Sequence, residues 1–161
     1  MYYVIVAAFM FVLPLLSIGT EARLAGSALT FALVGKWFVF WSVGVRLFTA
    51  GVRQVLQPEY TAREILGLKT DEPLLLVREL GFANLSIGLI ALLALAFPAW
   101  RIPAALAGGL FYGLAGINHI LQPHRNQLEN VAMVSDLFIS LVLFSVCVAA
   151  ALSSAATKAP A

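Results

Sequence analysis

The sequence is poor in cysteine and histidine, and this shortage excludes several kinds of site. The chain of 161 residues has one cysteine, Cys147, and two histidines, His119 and His124. A thiol–disulfide enzyme needs a cysteine pair, and a closed structural zinc site needs four ligands, so neither is expected. No C-x-x-C-H motif is present, and haem held by two histidines would need a second histidine inside the apolar segments. We therefore expect neither haem nor a metal.

Charged residues are also scarce. They make up 11% of the chain, whereas soluble domains average about 25%. Apolar residues make up 61%, and ten Lys and Arg against eight Asp and Glu give a net charge of only +2. This composition excludes a disordered chain, a nucleic-acid-binding surface and an ordinary cytosolic enzyme. It is typical of an integral membrane protein.

Five apolar segments approach the roughly 20 residues that a transmembrane helix needs. They are residues 2–18, 37–56, 74–97, 104–121 and 131–152. The first, within a region 1–20, is followed by Ser17-Ile18-Gly19, which is similar to a cleavage site, but it lacks the basic start of a signal peptide. We interpret it as a retained helix or signal anchor. A bundle over residues 24–152 and a flexible tail over 153–161 are predicted to follow.

A fifteen-residue pattern occurs twice, 65 residues apart. Residues 50–64 and 115–129 both fit A-G-[VI]-x-x-[VI]-L-Q-P-x-x-[TN]-x-x-E, with six identities. Pro58 and Pro123 would end the second and fourth spans on the same membrane face, which we call side A. Thr61-x-x-Glu64 and Asn126-x-x-Glu129 have the form of capping boxes that start new helices. We read the pattern as a duplicated helical hairpin.

The predicted fold is all-α. It is an integral membrane four-helix bundle built from two parallel-repeat hairpins, residues 37–97 and 103–152, with the N-terminal helix appended. Ala105, Gly109 and Gly113 form a stripe of small residues along the fourth span. Such a stripe allows close helix packing, either within the chain or in a homo-oligomer.

Polar residues in the spans are concentrated in the half of the membrane next to side A, where they would be costly unless they faced the interior of the bundle. Arg46 lies near the midplane and needs a partner, and the carboxylates Glu79 and Asp136 lie within reach by depth. One interpretation is a set of ion pairs that fixes the helix register. The other is a pocket in which Arg46, Arg78 and His119 contact a ligand while Glu79 and Asp136 orient the arginines. The candidate binding residues are Arg46, Arg53, Arg78, Glu79, Asn84, Asn118, His119 and Asp136.

Three motifs resemble a family of small, uncharacterised bacterial membrane proteins. They are K-W-F-V-F-W from residue 36, R-E-L-G-F-A-N-L-S-I-G from residue 78 and A-G-I-N-H from residue 115. The resemblance covers residues 35–150 and leaves the first helix outside. The chain is more remotely similar to DoxX-like four-helix membrane proteins, whose roles are linked to quinone-dependent or redox pathways. The resemblance implies the bacterial inner membrane and places Arg78, Glu79, Asn84 and His119 in matching motifs.

Three functions remain open from the sequence. The first is a binding or accessory protein that holds a lipophilic ligand with a polar head, a quinone or a lipid, on side A. The second is a small oligomeric proton-coupled transporter or channel. The third is an assembly subunit of a larger membrane complex. An enzyme is least expected, because no nucleophile–base pair, metal cluster or phosphate-binding glycine loop occurs. Membrane lipids, a lipophilic small molecule, a second copy or a membrane complex are the expected partners, and nucleic acid is not.

Overall fold

A computed structural model describes residues 2–26 and 28–158, and all regular structure in these residues is helical. The five long helices are α1 (Tyr2–Leu24), α2 (Phe31–Leu56), α3 (Leu74–Leu93), α4 (Arg101–Leu121) and α5 (Gln127–Lys158). A 3₁₀ turn, Pro98–Trp100, precedes α4. A short π-helical stretch, Tyr60–Ile65, follows α2, and we call it the linker segment.

Five helices are long and apolar enough to cross a membrane, as expected, which is consistent with an integral membrane protein. Each helix differs from its predicted bounds by a few residues at one end or both. α1 continues to Leu24, and α2 already begins at Phe31 because Thr30 caps it: the Leu33 amide donates to Thr30 Oγ1 at 3.2 Å. Residues 31–36 are therefore the first turns of α2.

Helices α2 and α3 pack with their backbones in contact. A Cβ placed on Gly88 would lie 2.5 Å from the Phe48 amide nitrogen, and one on Gly51 would lie 2.7 Å from the Gly81 carbonyl oxygen. On α3 the buried positions are Val77, Gly81, Asn84, Gly88 and Ala91. This spacing of three and four residues forms one helix face, and its glycines allow the close approach.

The small-residue stripe of α4 is used within the chain. A Cβ on Gly113 would lie 2.7 Å from Ser140 Oγ, and one on Gly116 would lie 2.7 Å from the Leu137 side chain, both on α5. Ser140 Oγ also donates to the Gly109 carbonyl at 2.9 Å. Of the two interpretations of this stripe, these contacts support packing within the chain.

Helix α1 belongs to the core, unlike the appended helix that we expected. Val6, Met10 and Ile18 are buried, and the Phe11 ring stacks on Phe138 of α5 with centroids 5.0 Å apart. Towards its end, Glu21 accepts hydrogen bonds from Lys36 Nζ at 2.7 Å. The apolar faces of α1 explain the difference, because they are buried against two other spans.

π-Helical turns interrupt α1 at Ala8–Val12 and α2 at Val39–Val45, and the two turns contact each other. Ser42 Oγ donates to the Phe9 carbonyl at 3.1 Å, and the Tyr112 hydroxyl of α4 donates to the Ser42 carbonyl. Widened turns leave backbone carbonyls without regular partners, and these side chains satisfy two of them. The three helices are thereby joined near mid-depth.

The two sequence repeats begin their following segments differently. Asn126 and Glu129 form the predicted capping box: the Glu129 amide donates to Asn126 Oδ1 at 2.9 Å, and the Asn126 amide donates to Glu129 Oε2 at 2.8 Å. The prediction for Thr61 and Glu64 is wrong, because the linker segment is π-helical and no side chain caps its start. Asn126 Nδ2 donates to the Ile65 carbonyl at 2.9 Å, so both repeat loops meet on side A.

Candidate functional site

A cavity of about 480 Å³ lies between all five long helices and beneath the linker segment. Cavities of this size are typical of small-molecule sites. Its apolar wall includes Ile5, Phe9, Leu47, Phe111 and Ala132. Its polar lining comes from all five long helices and the linker segment and consists of Tyr2, Arg46, Thr49, Arg53, Gln54, Tyr60, Thr61, Asn84, Tyr112 and Asp136.

Arg46 is the deepest arginine of the cavity, about 15 Å from the Leu56 end of α2 at 1.5 Å per residue. Its guanidinium carbon lies 5.9 Å from the centre of the Tyr2 ring, within cation–π range. Its Nε is buried and has no hydrogen-bond partner among the described residues. A buried donor of this kind is costly unless a bound molecule or water accepts from it.

Asp136 lines the same cavity from α5, and Arg46 is a charged group that acts on it electrostatically. The two side chains nevertheless do not form an ion pair within 4 Å. Among residues 2–26 and 28–158 the ion pairs are Lys36–Glu21 and Arg63–Asp71, neither of which lines this cavity. The predicted pairing of Arg46 with Asp136 or Glu79 is therefore not formed.

Arg53 lies one turn from the end of α2 and contacts the linker segment. Its guanidinium carbon is 3.4 Å from the centre of the Tyr60 ring, so the two groups stack closely. Its Nε is also buried without a partner among the described residues. Arg53 thus ties the linker segment to α2 and retains a donor for another molecule.

Asn84 and Gln54 form a buried polar bridge between α3 and α2. Asn84 Nδ2 donates to Gln54 Oε1 at 2.7 Å, and the two residues are 3% and 8% exposed. Asn84 Oδ1 is buried and has no partner in the described structure. The hydrogen bond uses one polar atom of each side-chain amide. The other polar atom of each amide remains on the cavity wall as a hydrogen-bonding group.

Arg78 and Glu79, by contrast, are exposed and lie outside the cavity. The sequence argument placed them by depth alone, but their positions around α3 differ from that of Asn84. Glu79 precedes Asn84 by five residues, which corresponds to a rotation of about 140°. The buried face of Gly81, Asn84 and Gly88 therefore turns Arg78 and Glu79 away from the neighbouring helix.

Asn118 and His119 near the end of α4 also lie outside the cavity. Asn118 is exposed. His119 is half-buried, and its Nδ1 has no partner among the described residues. The structure thus brings together Arg46, Arg53, Asn84 and Asp136 and leaves the other four predicted residues elsewhere.

Six polar cavity residues were missed by the sequence argument: Tyr2, Thr49, Gln54, Tyr60, Thr61 and Tyr112. Gln54 could have been found from the sequence. It lies one turn after Ala50 and Gly51, on the face of α2 that packs against α3. Tyr112 lies on α4 outside the candidate residues, and Tyr2 belongs to the helix that we expected outside the bundle. No sequence pattern indicated that the linker segment would bring Tyr60 into contact with Arg53.

The site has the chemistry of a binding pocket. Its arginines supply donors, Asn84 and Gln54 supply amide groups, and Asp136 supplies a carboxyl group, all beside apolar walls. Within the described ranges, no three His, Cys, Asp or Glu side chains come together in a metal-binding arrangement. The arrangement is suited to holding a molecule that has a polar head and an apolar body.

A family model matches residues 1–156, and the chain belongs to that family, described as a family of unknown function (DUF6790). The match includes α1, which the resemblance seen in the sequence had left outside. No curated protein and no solved structure matches the chain.

Proposed function

We propose that this member of the DUF6790 family is a membrane binding or accessory protein that holds a lipophilic molecule with a polar head, a quinone or a lipid, in the cavity. The observation that carries this proposal is that three buried polar atoms on the cavity lining, Arg46 Nε, Arg53 Nε and Asn84 Oδ1, have no partner in the described structure. An unsatisfied buried polar group costs about 1–3 kcal/mol, and more when it is charged. A polar head that bonds to these atoms would remove that cost.

Each polar residue has a distinct role in this proposal. Arg46 and Arg53 donate to oxygen atoms of the head. The Asn84–Gln54 bridge offers amide groups beside them, and Asp136 balances the arginine charge from the opposite wall. These residues replace the earlier assignment of Arg78 and His119 as head contacts, because neither lines the cavity.

The rim of the cavity favours a ligand that enters from the bilayer. Thr49 and Leu80 line the cavity and are also exposed, so it reaches the outer surface of the helices. Helix surfaces at this depth face hydrocarbon if the five helices span a membrane. A lipophilic molecule could therefore enter the cavity sideways from the bilayer. Its polar head would lie inside, and its apolar body would extend out through the rim.

The finer architecture is part of the proposal. Gly51 of the first repeat contacts α3, and the equivalent Gly116 of the second repeat contacts α5. Equivalent contacts of this kind support two parallel-repeat hairpins, α2–α3 and α4–α5, with α1 as an additional wall. A bacterial inner-membrane location and a DoxX-like link to quinones are also part of the proposal, and both rest on the resemblance seen in the sequence.

The direct experiment compares molecules that co-purify with matched arginine variants. The protein is purified in mild detergent and extracted with organic solvent, and the extract is analysed by mass spectrometry. Arg46→Gln removes a cavity arginine, whereas Arg78→Gln removes an exposed one. We expect a near-stoichiometric quinone or lipid with the wild type and with Arg78→Gln, and its loss from Arg46→Gln.

Two results would count against ligand binding. One is an empty extract from a monodisperse, folded wild-type protein, and the other is equal retention by Arg46→Gln. In the first case, stable co-purification of a membrane complex would favour the assembly-subunit function.

A proton-coupled transporter or channel is the second candidate, and Asp136 is the observation that favours it. Its carboxyl group lines the cavity without an ion-pair partner among the described residues. Intramembrane carboxyl groups of this kind are common in proton relays. A liposome flux assay with Asp136→Asn tests this function, since flux that is unchanged in the variant would contradict coupling through Asp136.

A further inference from the structure

We propose that a second cavity, at the end of the bundle opposite the side A loops, binds a phospholipid with a net negative head group. This cavity has a volume of about 600 Å³ and lies between the start of α2, the start of α4 and the last part of α5. It shares no lining residue with the side A cavity. The proposal is therefore independent of the proposed function.

The charged lining of this second cavity is basic. Among the described residues, Lys36 and Arg101 are the only charged ones that line it, and no carboxylate does. Glu21 accepts from Lys36 Nζ at 2.7 and 2.9 Å and from Trp37 Nε1 at 2.8 Å. Glu21 forms an ion pair with Lys36 and also acts electrostatically on Arg101, but no carboxylate pairs with Arg101 within 4 Å among the described residues.

Arg101 has free donors for an anionic group. Its Nε donates to the Ala94 carbonyl at 3.3 Å, which fixes the guanidinium at the start of α4. The two terminal nitrogens form no hydrogen bond within residues 2–26 and 28–158. A guanidinium held in this way can donate two parallel hydrogen bonds to a phosphate, which a single ammonium group cannot match.

The rest of the cavity suits an acyl chain. Phe31, Ile102 and Val146 form its apolar walls, and Ala149 and Ala150 leave room beside α5. These walls are joined to a polar end made of Thr30, Lys36 and Arg101. An apolar groove that ends at an arginine with unbonded terminal nitrogens near the ends of three spans matches the position of a lipid phosphate above its acyl chain.

The probe is phosphatidylglycerol, with phosphatidylcholine of the same acyl chains as the neutral comparison. Binding to the full-length protein, delipidated in detergent, is measured by native mass spectrometry. Arg101→Gln removes the free guanidinium, and Arg23→Gln removes an exposed arginine at the same end of the bundle as a matched control. Ala149→Phe fills the groove and keeps Arg101.

We expect one phosphatidylglycerol to bind more tightly than phosphatidylcholine. Arg101→Gln should weaken that binding by about tenfold or more, since a charge-assisted hydrogen bond is lost. Ala149→Phe should weaken it as well, whereas Arg23→Gln should leave it unchanged, and Arg101→Lys should restore part of it.

Several outcomes would overturn the proposal. Equal binding of both lipids would show that head-group charge is not recognised. An equal loss in Arg23→Gln would show general attraction to a basic surface, and undiminished binding in either Arg101→Gln or Ala149→Phe would place the lipid elsewhere. Because Ala149→Phe leaves the Arg101 contacts intact, a folding defect in Arg101→Gln alone does not decide the result.

Discussion

Replacing Gly88 by alanine should separate α2 from α3 and weaken both the fold and the side A cavity. The new Cβ would lie 2.5 Å from the Phe48 amide nitrogen and 2.9 Å from its Cα. Both atoms belong to the backbone of α2, so no side chain can rotate to relieve the clash. Non-bonded carbon contacts are about 3.5 Å or longer, so the helices must move apart locally by about 1 Å.

The expected change in the free energy of unfolding results from two opposing effects. Alanine favours a helix over glycine by about 0.5–1 kcal/mol, whereas overpacking of a tight interface costs about 1–3 kcal/mol. The backbone contact places this site at the upper end of that cost, so we expect a net loss of about 1–2 kcal/mol. For a chain of this length, the loss corresponds to a decrease in Tm of about 2–8 °C.

The same movement should disturb ligand binding, because Asn84 lies one turn before Gly88 on α3. A separation of about 1 Å would lengthen the 2.7 Å hydrogen bond between Asn84 and Gln54 beyond hydrogen-bonding range. Gly88→Ala should therefore retain less of the co-purifying molecule than the wild type does.

Gly109→Ala is the matched control. Gly109 is also a buried helical glycine, but its new Cβ would meet Leu143 Cβ at 3.4 Å, which is ordinary contact. Thermal unfolding of both variants in the same detergent, followed by circular dichroism, provides the comparison. Gly109→Ala should be neutral or slightly stabilising. Equal shifts in the two variants, or an unchanged Tm for Gly88→Ala, would refute the argument from backbone contact.

Two further predictions concern single hydrogen bonds. Tyr112→Phe removes the hydroxyl that donates to the Ser42 carbonyl. Because that buried carbonyl loses a donor, thermal unfolding should show a decrease of about 1–3 kcal/mol in the free energy of unfolding. An unchanged Tm would show that the contact contributes nothing. Asn126→Ala removes the cap of α5 and the bond to the Ile65 carbonyl, whereas Asn126→Asp keeps the cap and loses that bond. We expect Asn126→Ala to be less stable by about 0.5–2 kcal/mol than Asn126→Asp, and equal stability would show that the cap is not important.

The spans and one helix start could be predicted because they depend on local sequence. Length and hydropathy are sufficient to identify five long apolar helices, and they did so. The Asn126–Glu129 capping box also formed, since both partners lie within one turn. The same signature at Thr61 and Glu64 failed, because the linker segment is π-helical there and Thr61 is buried at the side A cavity.

The site was predicted only in part, because depth in a membrane does not determine the direction in which a side chain points. Arg46 and Arg53 were placed together correctly, since a spacing of seven residues keeps them on one face of α2. Arg78 and Glu79 lie at a suitable depth, but on a side of α3 that faces away from the cavity. The spacing of Gly81, Asn84 and Gly88 identifies the packed face, and reading it with the depths would have separated Asn84 from its charged neighbours.

The sequence by itself determined which segments are helices, where α2 and α4 end, and that most polar groups lie near side A. Those properties follow from hydropathy, proline positions and helical rise, all of which act within a segment. Only the tertiary structure decided that α1 contributes Tyr2 and Phe9 to the cavity, that the linker segment returns Tyr60 to Arg53, and that Arg46 faces Asp136 without pairing with it. These outcomes depend on how helices rotate and approach one another, and that is set by close contacts between residues distant in the chain.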